Sequence, residues 1–221
     1  MKRVALLHTV RPVLMNFEPL LRGVLGEDVK INNLLDEFLA SDPAEIGEFS
    51  LANKNRLFHD LKACELTQAD LIITTCSTLT PTVVEIRPFI KTPILAIDDA
   101  MSEEAIAIGG KIMVLATASS TVEPTFAKLR NDAKRMGSTI ELTGTDHPKA
   151  FAALQRGDMK THDTLVLELA KTIKGHDCIV IAQASTAHLQ DAIQELTGIT
   201  TLSSPLLCCR KAREILEGIN G

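Results

Sequence analysis

One cysteine in this chain stands where a thiol can react. Cys76 closes the run Leu71–Thr78, LIITTCST, in which apolar residues give way to Thr74, Thr75, Cys76, Ser77 and Thr78. The apolar part predicts a buried strand, and a helix is expected to begin near Ser77 or Thr78. A thiol at such a junction meets unpaired backbone N–H groups and the positive end of a helix dipole, both of which favour the thiolate. Pro81 fits the first turn of that helix, where a missing N–H breaks no bond. The hydroxyls of Thr75, Ser77 and Thr78, together with the same amides, suit a carboxylate. Cys76 is therefore the candidate reactive group, and its three hydroxyl neighbours are candidate substrate ligands.

Further polar residues fall where other apolar runs end. His8 and Thr9 follow the first run, and Asp98 and Asp99 follow KTPILAI. Thr117, Ser119, Ser120 and Thr121 follow KIMVLA, and Gln183 and Ser185 follow CIVIA. His8 is the second candidate catalytic residue. Asp99, Thr117, Ser120, Thr121, Gln183 and Ser185 join the candidate substrate ligands. Together they describe an anion pocket that has neither GxGxxG nor GxxxxGK[ST]. The other four cysteines have structural settings: Cys64 on a helical apolar stripe, Cys178 inside a strand, Cys208 and Cys209 in the apolar opening of the last helix. Their spacing supplies no disulfide pattern and no zinc site, so no metal is expected. His59, His147, His162 and His176 are expected at the surface, while His188 falls in the first turns of the helix after Ser185.

Eight short runs must position these groups: Val4–His8, Val29–Asn33, Leu71–Thr75, Ile94–Ile97, Ile112–Ala116, Thr139–Leu142, Cys178–Ile181 and Thr200–Ser203. Several are apolar at consecutive positions, the mark of strands buried on both faces in a parallel sheet. Helical spacing lies between them, as in Leu57, Phe58, Leu61 and Cys64 or Val166, Leu169, Ala170 and Ile173. Asp42-Pro43-x-Glu45 has the form of a helix start. This βαβ alternation predicts an α/β protein.

The halves also repeat one another. KRVALLHT resembles KIMVLATA, and ADLIITTCST resembles HDCIVIAQAST, which places Gln183 or Ala184 opposite Cys76. The expected architecture is two similar open parallel-sheet lobes, helices on both faces, related by a pseudo-two-fold with a cleft between them at the strands' carboxyl ends. The first lobe would comprise residues 1–98 plus 206–221 and the second 99–205, with Met101–Lys111 as crossover.

Composition narrows the partners. The net charge of −5, without Trp or Tyr, argues against nucleic acid, which needs basic patches and stacking surfaces. The apolar run at Val4–Leu7 is too short for a signal peptide, and no window reaches the roughly 18 apolar residues of a membrane span. Five cysteines, an odd number, suit free thiols in the cytoplasm. Should the chain assemble, a homo-oligomer is the expected form, a homodimer first.

The opening strand with His8-Thr9, the TTCST motif, the ATASST loop and the repeated lobes resemble the aspartate/glutamate/hydantoin racemase superfamily. The resemblance implies a cofactor-independent racemase or isomerase that acts on a small carboxylated substrate, an amino acid or a hydantoin-like acid. It implies two cysteines on opposite faces of the acidic carbon, with Cys76 as the first-lobe thiol. Thr75, Ser77 and Thr78 would bind the carboxylate, and Thr117, Ser120 and Thr121 would form the second lobe's hydroxyl loop. Where the family carries its second cysteine, this chain has Ala182-Gln183-Ala184-Ser185. Neither Gln nor Ala exchanges a proton near neutral pH, so the likeness is to a one-cysteine branch. The same residues also fit a single-thiol decarboxylase or lyase, or an inactive clamp for a small anion.

Overall fold

The computed structural model describes residues 1–219. Residues 220 and 221, which close the segment assigned above to the first lobe, lie outside the described residues. The chain divides into two compact units, Met1–Asp99 with the chain from Pro205 onward, and Ala100–Ser204.

The first unit runs β1 (Lys2–His8), α1 (Arg11–Leu25), β2 (Val29–Leu35), α2 (Phe38–Ile46), α3 (Leu51–Leu66), β3 (Leu71–Thr74), α4 (Thr80–Ile86) and β4 (Ile94–Ala96). The second contains most of α5 (Asp99–Ile108), then β5 (Gly110–Leu115), α6 (Val122–Met136), β6 (Ile140–Thr145), α7 (Pro148–Gln155), α8 (Met159–Ala170), β7 (Cys178–Ile181), α9 (Gln190–Thr197) and β8 (Thr200–Ser203). The last helix, α10 (Ser204–Gly218), returns to the first unit. Each unit has one four-stranded parallel sheet, ordered β2-β1-β3-β4 and β6-β5-β7-β8.

Consecutive apolar residues make these sheets two-sided. Along β1, Val4 and Leu6 face α1 and α10, where Leu21, Cys208, Cys209 and Ala212 complete one core. Ala5 and Leu7 face the opposite layer, built on Leu39, Leu57, Leu61 and Val83. In the second unit Met113, Leu115, Ile179 and Ile181 meet Ala150, Val166 and Ile193. The period of two remains, but both faces bury apolar side chains.

An aspartate fixes the register at the amino end of each sheet. Asp70 donates its N–H to the Arg3 carbonyl at 2.8 Å and accepts the Arg3 N–H on its carboxylate at 2.7 Å. Asp177 does the same with Lys111, at 2.8 and 2.7 Å. In the second unit the aspartate sits so close that a Cβ on Gly110, at φ +67°, would lie 2.1 Å from its Oδ2.

One local expectation is corrected. Asp42-Pro43 does not start a helix: α2 begins a turn earlier, with the Asp36 carboxylate accepting the Phe38 N–H at 3.1 Å, because Leu39 is fully buried and draws that turn inward. The expected crossover, Met101–Lys111, is largely the helix α5, in which Met101, Ala105 and Ile106 are buried, and the units divide just before it, at Asp99.

Asp36 also meets Arg56 and Asp60 of α3. Burial, with a hydrogen bond and repulsion from Asp36, pushes the Asp60 carboxyl up to about 7, and its Oδ2 is buried without a partner. As pH rises from about 4 to about 7, the unfolded chain releases this proton while the folded protein retains it, so stability falls across that window. Asp60→Asn, which replaces the carboxyl O–H donor to Asp36 with an amide N–H and removes the charge, should flatten this part of a Tm-versus-pH curve. It should stabilise the protein above neutrality and change little near pH 4. An unaltered slope would remove Asp60 as its source.

Candidate active site

The strand ends carry the candidate residues, and the first unit is the simpler case. The sheet's last rung there is Thr75 N–H to the Leu7 carbonyl at 3.0 Å. Cys76 follows in extended conformation, and a single 3-10 turn over Ser77–Leu79 leads into α4. The expected helix thus begins as this turn, with Pro81 in the first turn of α4. Cys76 is half-buried, its Sγ 2.9 Å from Thr78 Oγ1, and Ser77 and Thr78 are exposed beside it.

Thr75 points inward. Its hydroxyl lies 2.8 Å from His8 Nδ1 and 3.2 Å from the Leu7 carbonyl. His8 has no exposed surface, and its Nε2 is 3.0 Å from Asn33 Oδ1. Asn33 donates its amide to Glu18, which pairs with Arg22 at 2.8 Å. That donation fixes the amide orientation and hence the imidazole: Nε2–H donates to Asn33, and Nδ1 accepts from Thr75. Burial holds the His8 pKa below its ordinary value, against the hydrogen bond it donates to Asn33 and the charge of Glu18. His8 is therefore a neutral ring with both nitrogens engaged behind the Thr75–Cys76 turn. Asn33 and Glu18 escaped the sequence reading, although an Asn pair inside the strand VKINNLL was a visible signal.

The aspartates after β4 secure the segment that follows Cys76. Asp98 accepts the Thr80 hydroxyl at 2.7 Å, and Asp99 accepts the Ala96 N–H at 2.9 Å and pairs with Arg87. Both are buried.

The second unit repeats this backbone with different chemistry. Its last rung is Ala182 N–H to the Leu115 carbonyl at 2.9 Å, and Gln183 takes φ −129°, ψ 129° where Cys76 has −128° and 119°. Gln183, not Ala184, is the counterpart of Cys76. Its Oε1 accepts Thr117 N–H at 2.6 Å, Thr117 Oγ1–H at 2.9 Å and Ala118 N–H at 3.1 Å. Three donors on one atom identify it as the oxygen, so the amide N–H₂ points the other way. The Thr121 hydroxyl turns back to the Ala118 carbonyl at 2.8 Å, while Ser120 and Ser185 are exposed.

The remaining thiols are sealed. Burial pushes Cys64 up to about 11 and Cys178 and Cys209 to about 12, and raises Cys208 well above its ordinary value. Among the histidines, His59 is exposed and His147 caps α7, accepting the Ala150 N–H at 3.2 Å. His176, half-buried, meets the Thr143 hydroxyl at 2.7 Å. His162, expected at the surface, is fully buried because its position in α8 faces inward with Val166. An open cleft of about 540 Å³, lined by Gly110, Lys111, Thr139, Glu141, Gly175 and Asp177, lies at the amino end of the second sheet. None of the candidate residues lines it. Among the described residues no helix is long and apolar enough to cross a membrane.

Comparison with known proteins agrees with this architecture. A search of curated protein sequences finds no match. Among solved structures, an aspartate racemase homologue from Pyrococcus horikoshii shares 17% identity at TM-score 0.73, covering 100% of both chains. A putative Asp/Glu racemase from Yersinia pestis shares 15% at 0.76, over 98% of this chain and 100% of its own. Allantoin racemase from Klebsiella pneumoniae shares 14% at 0.67, over 100% of this chain and 89% of its own. These likenesses establish the fold. The Asp/Glu/Hydantoin racemase model matches residues 40–212, most of the chain and both strand-end motifs, so the protein belongs to the Asp/Glu/Hydantoin racemase family and is a racemase-like isomerase.

Proposed function

We propose that the protein moves a proton at the carbon next to the carboxylate of a small acid, an amino acid or a hydantoin-like compound, with Cys76 as thiolate base and thiol acid. The observation that carries this is the partition of the thiols. Four are buried in cores that disfavour the thiolate, whereas Cys76 is half-buried at a strand end beside exposed hydroxyls. Removing such a proton leaves charge on the carboxylate oxygens, and fixed donors at those oxygens supply much of the stabilisation. Ser77 and Thr78, with the amides of their turn, are donors of this kind on the first unit. On the second, Ser120, Ser185 and the Gln183 N–H₂ are the exposed or half-buried donors, with Thr117 and Thr121 holding their loops.

In this reading His8 is a positioning residue and touches no substrate: as a neutral acceptor it fixes the Thr75 hydroxyl, and through it the turn that presents Cys76. Thr75 acts in the same way, through its backbone. Asp99 holds the segment after Cys76 through Ala96 and Arg87. No cofactor enters the reaction so described.

One observation favours a second reading. Gln183 replaces a thiol with an anchored donor that cannot carry a proton, which suits a reaction in which a single thiol protonates one face after loss of carbon dioxide. Incubation in D₂O separates the two. Racemisation predicts deuterium at the acidic carbon of both enantiomers of an amino acid or hydantoin, without loss of carbon. The lyase reading predicts carbon dioxide and a single deuterated enantiomer from a substituted malonate.

The Cys76 assignment is tested without knowing the substrate. Iodoacetamide near neutral pH should add one label to the native protein, at Cys76, with the other four thiols reacting only after denaturation. Labelling at Cys64 or Cys178 in the native protein would contradict the partition. Cys76→Ala should reduce turnover by at least about 10²-fold, the lower range for losing a general acid–base group. Cys64→Ala and Cys178→Ala should leave the turnover of folded protein within a few-fold of native. Full activity in Cys76→Ala would end the proposal.

A further inference from the structure

A second cluster of reactive side chains lies within the second unit, apart from the thiol chemistry. His162 and Asp163 stand in the first turns of α8, and His188 lies in the 3-10 segment Ala184–Leu189 that follows β7. Because α8 leads into β7 by way of a short connection, its amino end lies at the carboxyl edge of the sheet, where that segment begins. Asp163 Oδ1 receives His162 Nδ1 at 2.7 Å and His188 Nε2 at 2.9 Å. One potential ligand atom from each residue lies within 4.8 Å of the other two. The carboxylate is held below its ordinary pKa: burial works against the charge, and the two imidazoles outweigh it.

His162 sharpens the case. It has no exposed surface, and its Nε2 is buried without a hydrogen-bond partner. An apolar side chain would fill that interior without leaving a polar atom unpaired, so packing gives no reason for an imidazole there. The reason lies at its other nitrogen, which is aimed at Asp163. His188, by contrast, is exposed, with 44% of its side-chain surface accessible. The cluster thus has a buried ligand inside, an exposed one outside and a carboxylate joining them, with a route for an ion from solvent.

We propose that His162 Nδ1, Asp163 Oδ1 and His188 Nε2 bind a divalent first-row transition metal ion such as Zn²⁺, Co²⁺ or Ni²⁺. Two imidazoles and a carboxylate are the donors these ions take, whereas Mg²⁺ and Ca²⁺ select oxygen alone. Ligands about 2.0–2.1 Å from a tetrahedral zinc ion stand roughly 3.3 Å apart, so the two hydrogen-bonded spacings to Asp163 need open by only about half an ångström, while the two nitrogens, within 4.8 Å of one another, move toward the same separation. Binding replaces the two N–H···O bonds to Asp163. Each ring takes its other tautomer, which places the His188 proton on Nδ1 and the His162 proton on Nε2. That last atom has no bond to lose. Solvent would complete the coordination sphere on the exposed side.

The test uses the metal alone and the full chain. Isothermal titration with ZnCl₂ should show one equivalent bound, and zinc should raise the Tm of the native protein. Co²⁺ should give visible d–d absorption without a thiolate charge-transfer band. His188→Ala should weaken zinc binding by at least about tenfold and abolish the Tm shift. Asp163→Asn should do the same, and serves as the second reading should His188→Ala lower the metal-free Tm. Cys76→Ser should bind as the native protein does, which keeps this site distinct from the proposed catalytic thiol. Absence of binding, binding unchanged in both cluster variants, or a thiolate band lost with Cys76→Ser would overturn the proposal, and none of these results bears on the role of Cys76.

Discussion

Everything at the strand ends depends on the parallel register of β1 with β3, and of β5 with β7. Slipping a strand by one residue turns every side chain to the other face, which here would bury Cys76 and expose Thr75. In sheets apolar on both faces the hydrophobic pattern resists such a slip only weakly, because either face accepts Leu, Ile or Val. The aspartate at the start of each inner strand supplies what the pattern lacks. Asp70 and Asp177 each make a reciprocal pair of bonds to one residue of the neighbouring strand, and only one register satisfies both. From that point the length of β3 alone decides that the chain leaves the sheet after Thr75.

With the backbone so fixed, the two strand ends differ first by a side chain. Cys76 and Gln183 have nearly the same dihedral angles, and each opens a 3-10 segment, over Ser77–Leu79 and Ala184–Leu189 respectively. At Gln183 the oxygen fills a nest made by the Thr117 and Ala118 amides and the Thr117 hydroxyl, so a site able to hold an anionic oxygen is occupied by a neutral one from the chain itself. What remains to face outward is the amide N–H₂, a fixed donor with no proton to exchange. The asymmetry is chemical: one strand end carries an exchangeable proton, and its twin carries hydrogen bonds.

How far this was legible in the sequence follows from range. All eight strands stood out because runs such as VALL, LIIT and CIVI are short, apolar and flanked by turn residues, and the repeat doubled the signal. Cys76 was legible because a thiol among hydroxyls at a strand end has no packing rationale. Whether Gln183 or Ala184 is the counterpart of Cys76 was left open by one residue, and backbone hydrogen bonds within each unit were needed to settle it. Asp42-Pro43 misled because a local capping pattern competes with the burial of Leu39, a tertiary effect. The His8–Asn33–Glu18 chain and the His162–Asp163–His188 cluster join residues from separate elements, so no local spacing could announce them. His162 shows the reverse error: a polar residue in an amphipathic helix was assigned to the outer face, although its position followed the buried stripe.

The cores also explain why Cys76 alone among the thiols is proposed as the acid/base. A thiol held at about 12, as Cys178 is, is ionised in roughly one molecule in 10⁵ near neutral pH, too few to act as a base. The apolar layers that stabilise each sheet are thus the same layers that silence the cysteines within them, and a cysteine gains reactivity only by leaving the sheet. His8 follows the same logic in the opposite sense. Its burial keeps it uncharged, and an uncharged ring is what a hydroxyl donor such as Thr75 requires as a partner. Protonated, the imidazole would offer two N–H groups and no acceptor, so the bond to Thr75 would reverse and the hydroxyl would donate to the Leu7 carbonyl at 3.2 Å instead. The neutral state of a residue that never meets solvent is therefore coupled to the geometry of the turn in which the half-buried Cys76 sulfur sits.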